Sequence, residues 1–213
     1  MFDSGVMAAL LAPALPEPTS SHPDLLPVLP PLQSLLPGLR RGQVVSVDGT
    51  GALATALAAG VSADGGWCAA VGMPDLGVLA AVAMGVDPQR LLLIDEPGER
   101  WPEVVATMLG AVESVLLRPP VSPSAVQVRR LTAHARQHGA VLMVTGPWEG
   151  AQLRLRVASS LWTGLSDGHG HLRGRRVQVV AEGKGPARSA WLWLPGPNGT
   201  VEQADLVPVE EAG

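Results

Sequence analysis

Short apolar runs alternate with longer helix-like segments through the middle of the chain. The apolar runs that predict strands cover residues 43–48, 67–73, 90–95, 114–118 and 140–145. The segments that predict helices lie between them, at residues 51–62, 76–84, 101–110 and 124–138. Strands that are apolar almost throughout are typical of a parallel sheet buried on both faces, because the connecting helices cover it.

The segment 124–138 shows the amphipathic pattern most clearly. Val128, Leu131 and Ala135 recur at helical spacing and predict the face that packs on the sheet. Gly139 follows directly and predicts the end of this helix, because glycine readily adopts the left-handed conformation that ends helices.

The pattern changes after residue 145. Residues 152–161, 176–182 and 189–194 read as strands separated only by turns, which predicts antiparallel pairing. The predicted fold class is therefore α/β: a mainly parallel sheet that is flanked by helices and ends in antiparallel strands.

Proline divides the chain near its beginning, with eight prolines between residues 12 and 37. Proline fixes φ and removes a hydrogen-bond donor, so long regular elements are not expected there. We predict an N-terminal arm at residues 1–31 with a short helix at residues 3–11, and a core domain at residues 32–195. Residues 196–213 are predicted to form an acidic flexible tail.

Composition limits the class of protein. The chain has 213 residues, of which 46% are hydrophobic and 16% charged, as expected for a globular protein. No apolar run reaches the ~18 residues that a membrane span needs, so no membrane association is expected. The single cysteine, Cys68, suits a reducing compartment, and the start of the chain has Asp3 but lacks the positive charge of a secretion signal. A cytoplasmic location is predicted, with association with the nucleoid after DNA damage following from the family resemblance described below.

Basic residues are concentrated in the second half of the chain. Eleven of the 15 Lys and Arg residues lie between positions 118 and 188, a stretch that has only three acidic residues. Such asymmetry can indicate an anionic partner, including DNA. The candidate nucleic-acid or partner surface is the group Arg154, Arg156, Arg173, Arg175 and Arg176. A solvated arginine surface in a protein of high-G+C coding is the alternative.

Residues 44–60 have the layout of a phosphate-binding loop, with an apolar strand, a glycine turn and an alanine-rich helix. The sequence pattern of that loop is Gly, any four residues, Gly, Lys, and then Ser or Thr. When this pattern is aligned from Gly49, Ala54, Thr55 and Ala56 occupy the positions of the second Gly, the Lys and the Ser or Thr. We call the following residues the degenerate nucleotide loop: Gly49, Thr50, Gly51, Ala54, Thr55 and Ala56. No lysine is available for the phosphates and no hydroxyl for magnesium at the expected positions.

Four stretches in the same order resemble the core of RecA-type recombinases, and one of them, residues 101–118, matches a helix followed by a strand. Residues 35–49 (LLPGLRRGQVVSVDG) are similar to the entry to the first strand, and residues 84–94 (MGVDPQRLLLI) to a helix-to-strand turn. Residues 173–194 resemble a late hairpin of that family. The resemblance implies a RecA-like core.

The same resemblance shows where the family's chemistry is missing. The family has a glutamate base after the second strand, where this chain has only Asp75 nearby, and an aspartate at the end of the strand that here ends in Arg118. The two DNA-binding loops are also reduced. These departures predict a protein that is not an enzyme and has no cofactor. A deviant ATPase would require Arg40 or Arg41 to replace the lysine, and both precede the strand.

A short RecA-like chain with these departures resembles the ImuA-type accessory proteins of bacterial mutagenic translesion synthesis, in their high-G+C (ImuA-prime) form. The resemblance implies a non-catalytic adaptor of a DNA-damage-induced complex, belonging to the SOS response. Its implied partner is an ImuB-type, Y-family polymerase-like protein. RecA, an error-prone DnaE-type polymerase, DNA and a second copy of the chain are further candidates.

Candidate partner contacts come from the first helix and one short loop: Phe2, Val6, Leu10 and Trp148. The acidic residues 202–211 are a second candidate. Two groups contain residue types that bind metals: residues 167–171 (DGHGH), and the pair His134 and His138, one helical turn apart. A glycine turn and a solvated helix face explain them better, so no metal is predicted.

Overall fold

The computed structural model describes residues 24–48, 51–166 and 169–204. Four α-helices are described: α1 (Gly51–Ala63), α2 (Val78–Met84), α3 (Trp101–Leu109) and α4 (Ala125–His138). The described strands are, in chain order, β1 (Leu25–Leu26), β2 (Leu39–Arg40), β3 (Val44–Asp48), β4 (Cys68–Val71), β5 (Leu91–Ile94), β6 (Ser114–Leu117), β7 (Val141–Thr145), β8 (Leu153–Ser166), β9 (His169–Glu182), β10 (Arg188–Trp193) and β11 (Glu202–Gln203). Short 3-10 turns cover Pro30–Leu32, Pro88–Arg90 and Gly98–Arg100.

Nine strands form one sheet in the order β11-β10-β9-β8-β3-β7-β6-β4-β5. Strands β5, β4, β6, β7, β3 and β8, in their order across the sheet, pair in parallel. Strands β8, β9, β10 and β11 pair in antiparallel fashion. Strands β1 and β2 form a separate antiparallel pair. The predicted fold class is confirmed, including the change from parallel to antiparallel pairing after β8.

Two hydrophobic cores cover the two faces of the sheet. The first packs α1 and the segment before β3 against one face, and it continues under β8, β9 and β10. The second packs α3 and α4 against the other face of β3, β4, β6 and β7. No residue of β8, β9 or β10 contributes to this second core, so their outer face extends beyond the helices.

The amphipathic helix α4 forms as predicted. Val128, Leu131 and Ala135 are its buried residues. At its start, the Ser124 hydroxyl accepts from the Gln127 backbone and the Gln127 side chain accepts from the Ser124 backbone, which satisfies two free amides. Gly139 ends the helix in the left-handed conformation, at φ 69°.

Helix α1 lies deeper than its alanine-rich sequence suggests, since ten of its 13 residues are buried. It packs against the backbone of the N-terminal segment at Gly60. A Cβ at this position would lie 2.5 Å from Cα of Val28 and 2.7 Å from N of Leu29. Because Gly60 has no side chain, α1 can lie directly against the backbone of residues 27–29.

The packed structure continues past both predicted domain boundaries. Leu26 and Val28, within the predicted arm 1–31, are buried in the first core. Beyond residue 195, β11 pairs with β10, and Val201 is also buried. The division into arm, core and tail stays a prediction, but its ends at residues 31 and 195 do not coincide with the limits of packing.

The hairpin β8–β9 is longer than the apolar pattern predicted, because each strand has 14 residues. The predicted strands covered only residues 152–161 and 176–182 of this hairpin. Beyond these limits the two strands go on pairing through residues such as the exposed Trp162 and its partner Arg175, and backbone pairing needs no buried apolar pattern.

Among the described residues, no helix combines the length and the apolar character that crossing a membrane would require.

Candidate functional site

The degenerate nucleotide loop lies at the carboxyl edge of the sheet, between β3 and α1. Gly49 and Thr50 are outside the described residues. Gly51 begins α1, and its Cα faces two side chains from the segments that follow β4 and β6. A Cβ built there would lie 3.3 Å from Cε of Met73 and 3.7 Å from Nη2 of Arg118.

The three template positions within α1 are occupied by core residues. Ala54 and Ala56 are fully buried in the first core. Thr55 is 4% exposed, and its Oγ1 donates to the carbonyl of Gly51 at 3.0 Å, one turn back along the helix. The only hydroxyl on these three side chains is therefore engaged within its own helix.

Arg118 and Asp75 form an ion pair at the same edge. Arg118 directly follows β6, Asp75 lies beyond the end of β4, and β4 and β6 are neighbours in the sheet. The hydrogen bond from Arg118 holds the pKa of the Asp75 carboxyl below its usual range. The backbone also ties the two ends together, since N of Arg118 donates to O of Val71 at 3.0 Å.

A small cavity of about 210 Å³ remains beside this ion pair, between the start of α1 and helix α2. Thr55, Met73, Asp75 and Arg118 contribute to its walls. Among the described residues, its charged lining groups are Arg118 and Asp75, which neutralise each other. The cavity therefore offers neither an uncompensated cation for phosphates nor an unpaired carboxylate for a metal.

Sequence reasoning placed Arg118 correctly at the end of a strand but left Asp75 without a role. Their opposite charges were visible in the sequence. Their contact was not, because α2, β5 and α3 separate the two strands along the chain. A crossover connection that places β4 beside β6 is a property of the whole fold.

The predicted arginine group is divided between surfaces. Arg154 and Arg156 flank the buried Leu155 along β8, and Arg176 precedes the buried Val177 on β9. By the strand register these three arginines lie on the outer face of the antiparallel strands. Arg156 pairs there with Glu182, Nε to Oε1 at 3.4 Å.

Arg175 belongs to the opposite face of β9 from its neighbour Arg176. Its guanidinium lies over the ring of Trp162, 5.7 Å from the ring centroid, and its Nε donates to Oγ of Ser160 at 2.7 Å. Arg173 is exposed near the distal end of the hairpin. The structure thus unites only part of the predicted group.

Two tryptophans complete the outer face of the antiparallel strands. Trp193 is the cross-strand neighbour of Arg176, and Trp191 is that of Gln178. The Arg176 guanidinium lies 4.9 Å from the centroid of the Trp191 ring, which is cation–π geometry. We call the set Arg154, Arg156, Arg176, Trp191 and Trp193 the outer Arg/Trp face.

Trp148 corrects a sequence prediction. It was a candidate partner contact because it lies in a short glycine-flanked loop. The side chain is only 1% exposed and belongs to the second core, and its Nε1 donates to Oγ1 of Thr132 at 3.3 Å. The loop folds back over α4, so this indole is buried within the domain and unavailable to a partner. The other candidate contacts, Phe2, Val6 and Leu10, lie outside the described residues.

Metal binding finds no support in the part of the chain that the structure describes, where no group of three or more His, Cys, Asp or Glu side chains could hold an ion. His134 and His138 stack with ring centroids 6.0 Å apart. Asp167 and Gly168 of the other candidate group lie outside the described residues.

Comparison with known proteins gives a family and a fold. The family model described as the MT3502 N-terminal domain matches residues 34–150, which run from before β2 to the end of the loop after β7. An uncharacterized protein of Mycobacterium tuberculosis, Rv3395c, is 35% identical over 185 residues, which cover 83% of this chain and 88% of that protein.

Among solved structures, the crystal structure of the RadB recombinase is similar, with a TM-score of 0.58 and 17% identity over 83% of this chain and 97% of RadB. At this identity the likeness concerns the fold alone, and it confirms the predicted RecA-like architecture. The match to more than half of the chain and the relative of near-equal length establish the closer relationship: the chain belongs to the family defined by the MT3502 N-terminal domain.

Proposed function

We propose that this chain is a non-catalytic RecA-fold adaptor of the ImuA type, which binds an ImuB-type polymerase-like protein in a DNA-damage-induced translesion synthesis complex. The type of complex and the partner rest on the sequence resemblance. The non-catalytic character rests on the chemistry of the carboxyl edge, which can be argued residue by residue.

The observation that carries this proposal is the Arg118–Asp75 pair beside α1. A magnesium ion at the end of β6 would meet the Arg118 guanidinium, a like charge, instead of a carboxylate. Thr55, at the position of the phosphate-binding lysine, is a buried neutral residue. Hydrolysis of ATP needs groups that compensate the charge of the magnesium ion and the charge of the phosphates. This edge is therefore suited to packing and binding instead of phosphoryl transfer.

The deviant ATPase is disfavoured by the position of Arg40 and Arg41. Both precede β3 and line a cleft at the amino edge of the sheet, together with the start of β8. The glycine turn follows the carboxyl end of β3, so the two arginines lie at the other end of that strand from the loop. This placement argues against either arginine in the role of the missing lysine.

Equilibrium titration with a fluorescent ATP analogue and Mg²⁺ tests the non-catalytic part of the proposal. We expect no saturable binding and no release of phosphate, with an active recombinase as the positive control under the same conditions. Micromolar affinity together with turnover would refute the proposal.

Co-purification tests the adaptor part. The full chain and an ImuB-type protein from the same genome are expressed together, and a complex of defined stoichiometry is expected after size-exclusion chromatography. RecA and a DnaE-type polymerase are added in turn to the purified complex. Separate elution of the chain and the ImuB-type protein at concentrations well above micromolar would contradict an adaptor role.

A second candidate function, nucleic-acid binding, is favoured by the outer Arg/Trp face. This face combines arginines with two half-buried tryptophan rings, and proteins hold single strands with basic groups on the phosphates and aromatic rings stacked on the bases. The partner would then be single-stranded or primed DNA. Binding should weaken with salt, with a log–log slope of about -0.7 for each phosphate contacted.

The matched variants for this test are Arg176→Gln and Arg129→Gln. Arg176 belongs to the outer Arg/Trp face, whereas Arg129 is exposed on α4. Each variant removes one positive charge, so only a site-specific role distinguishes them. Equal loss of affinity, or binding that is insensitive to salt, would exclude this surface.

A further inference from the structure

A cationic cleft of about 520 Å³ lies at the amino edge of the sheet, on the other end of β3 from the degenerate nucleotide loop. Four parts of the chain form it: the segment before β3, the end of α4, the start of β8 and the turn between β9 and β10. Its volume is in the range of pockets that bind small ligands or a few side chains. The proposed function does not use this cleft.

Positive charge is the first property of the cleft. Within the part of the chain that the structure describes, its lining has no Asp or Glu, and its five charged residues are all basic: Arg40, Arg41, Arg136, Lys184 and Arg188. None of the ion pairs among the described residues involves Arg40, Arg136, Lys184 or Arg188. Five cations around one concave surface attract an anion more strongly than the same charges spread over a convex surface.

A neutral donor adds to these charges. Nε2 of Gln43 is buried and has no hydrogen-bond partner among the described residues. Gln152 also lines the cleft, but both of its amide atoms already have partners: Oε1 accepts from N of Val44 at 2.6 Å, and Nε2 donates to O of Gly150 at 3.0 Å. A buried amide without a partner is uncommon in native folds, and an acceptor atom supplied by a ligand would satisfy it.

The cleft also has an apolar wall, which includes Leu25, Leu35, Leu36, Leu153 and Pro186. Leu35 and Leu36 are almost fully buried in the first core, at 2% and 5% exposed, so the apolar surface that a ligand can contact is that of Leu25, Leu153 and Pro186. A phosphate backbone would use the cations but would leave this wall without apolar contacts. A peptide that carries both carboxylates and aliphatic side chains would match the cations and the wall together.

Close backbone contacts hold these walls in place. A Cβ at Gly42 would lie 2.9 Å from Cα of Arg136, so the segment before β3 lies directly against the end of α4. Antiparallel pairing of Leu25 with Arg40 ties the strand β1 to the same segment. Binding to a cleft that is already formed avoids the cost of ordering it.

From this combination we propose that the amino-edge cleft binds an acidic peptide segment of a partner protein, through carboxylates on the five cations and aliphatic side chains on the leucine wall. The proposal does not depend on the identity of the translesion complex. It places the partner surface at the amino edge of the sheet. In the phosphate-loop layout, nucleotide binds at the opposite, carboxyl edge.

The test is fluorescence anisotropy of the full chain with a fluorescein-labelled hexapeptide of alternating Glu and Leu. The control peptide has Gln in place of Glu. We expect saturable binding of the acidic peptide, and affinity reduced by roughly tenfold or more in Arg188→Glu. Arg129→Glu makes the same change of charge on the exposed side of α4 and should leave the affinity unchanged. Leu25→Ala should weaken the binding of the acidic peptide, because it removes part of the apolar wall. Thermal unfolding checks that each variant is folded.

Other outcomes would overturn the proposal in distinct ways. No saturable binding, or equal losses in Arg188→Glu and Arg129→Glu, would leave only non-specific attraction. In a second outcome, an oligonucleotide of thymidines displaces the peptide, and its binding is weakened by Arg188→Glu but not by Leu25→Ala. This outcome would assign the cleft to nucleic acid. Peptide binding that occurs only in Glu210→Gln/Glu211→Gln would assign it to the chain's own acidic residues, which lie outside the described residues.

Discussion

Arg118 and Asp75 join the carboxyl ends of two neighbouring parallel strands, β6 and β4, through an ion pair at the start of helix α1. The arginine stands where an ATPase of this layout would need a carboxylate, and the aspartate neutralises it. The two charges therefore compensate each other within the chain. It is exposed, with 38% of the Arg118 and 68% of the Asp75 side chain accessible, so its electrostatic contribution is small and sensitive to salt.

The first prediction concerns the pH dependence of this ion pair. The hydrogen bond from Arg118 lowers the pKa of Asp75, so the stabilisation is complete above the ordinary carboxyl pKa of 3.8 and is lost as the pH falls through the folded-state value. Asp75→Asn should lower the free energy of unfolding at neutral pH by a small amount, and the difference from the wild type should vanish in acid. Urea denaturation at neutral and acid pH measures it.

Asp95→Asn is the matched control for Asp75→Asn. Asp95 is an exposed carboxylate close to the end of β5, and it forms no ion pair with any described residue. Its removal should leave the unfolding free energy nearly unchanged at both pH values. An Asp75→Asn effect that persists at acid pH would show that the ion pair is not its cause.

The parts of the fold that the sequence predicts well are those with local signals. In α4 the apolar spacing of Val128, Leu131 and Ala135 and the terminal Gly139 define the helix, and the structure agrees. Buried strands such as β6 are visible because every residue is apolar or small. Such signals do not depend on which strands are neighbours.

The parts that could not be predicted depend on contacts between distant residues. The Arg118–Asp75 pair requires β4 beside β6, and the burial of Trp148 requires its loop to fold over Thr132. One correction was available from the sequence itself. Arg175 and Arg176 are consecutive, so in a strand they must point to opposite faces and cannot form one surface.

The second prediction tests the burial of Trp148. Trp148→Ala should lower the free energy of unfolding by about 3–5 kcal/mol, because it removes a large buried side chain from the second core. Trp148→Phe should cost less, since the ring contacts largely remain and the hydrogen bond to Thr132 is worth about 1 kcal/mol. Urea denaturation followed by circular dichroism gives both values. A loss below about 1 kcal/mol in Trp148→Ala would place the indole on the surface, as the sequence first suggested.

The third prediction tests the contact between α1 and the N-terminal segment. Alanine favours a helix interior over glycine by about 1 kcal/mol, so Gly60→Ala would stabilise an isolated helix. In the folded chain the new Cβ would lie 2.5 Å from Cα of Val28, and we expect a net destabilisation of about 1–3 kcal/mol. Thermal unfolding measures the change.

Gly110→Ala is the control for Gly60→Ala. Gly110 follows α3 with φ at -87°, and the nearest atom to a built Cβ, O of Thr107, is 3.5 Å away. This substitution should be nearly neutral. If Gly60→Ala stabilised the chain, residues 27–29 would not be packed on α1.

The last prediction concerns Cys68, whose thiol is fully buried in β4. Its pKa is raised from 9.0 to about 11: burial, the largest cause, raises it, the hydrogen bond from Ser114 to the sulfur, 3.1 Å long, lowers it, and the charge of Glu113 raises it. A raised pKa means that the unfolded chain loses its proton first. The stabilisation is therefore complete below the unfolded pKa and declines as the pH rises towards the folded value.

Between mildly alkaline pH and pH ~10, this effect should lower the free energy of unfolding by about 1 kcal/mol. Cys68→Ala has no thiol to ionise, so its unfolding free energy should lack that part of the decline, although it starts from a lower value because a small cavity is formed. Urea denaturation in the presence of a reducing agent, at several alkaline pH values, compares the two. Parallel declines in both proteins would mean that the thiol is accessible to solvent in the folded chain, and a thiol reagent would then react with it at the same rate before and after unfolding.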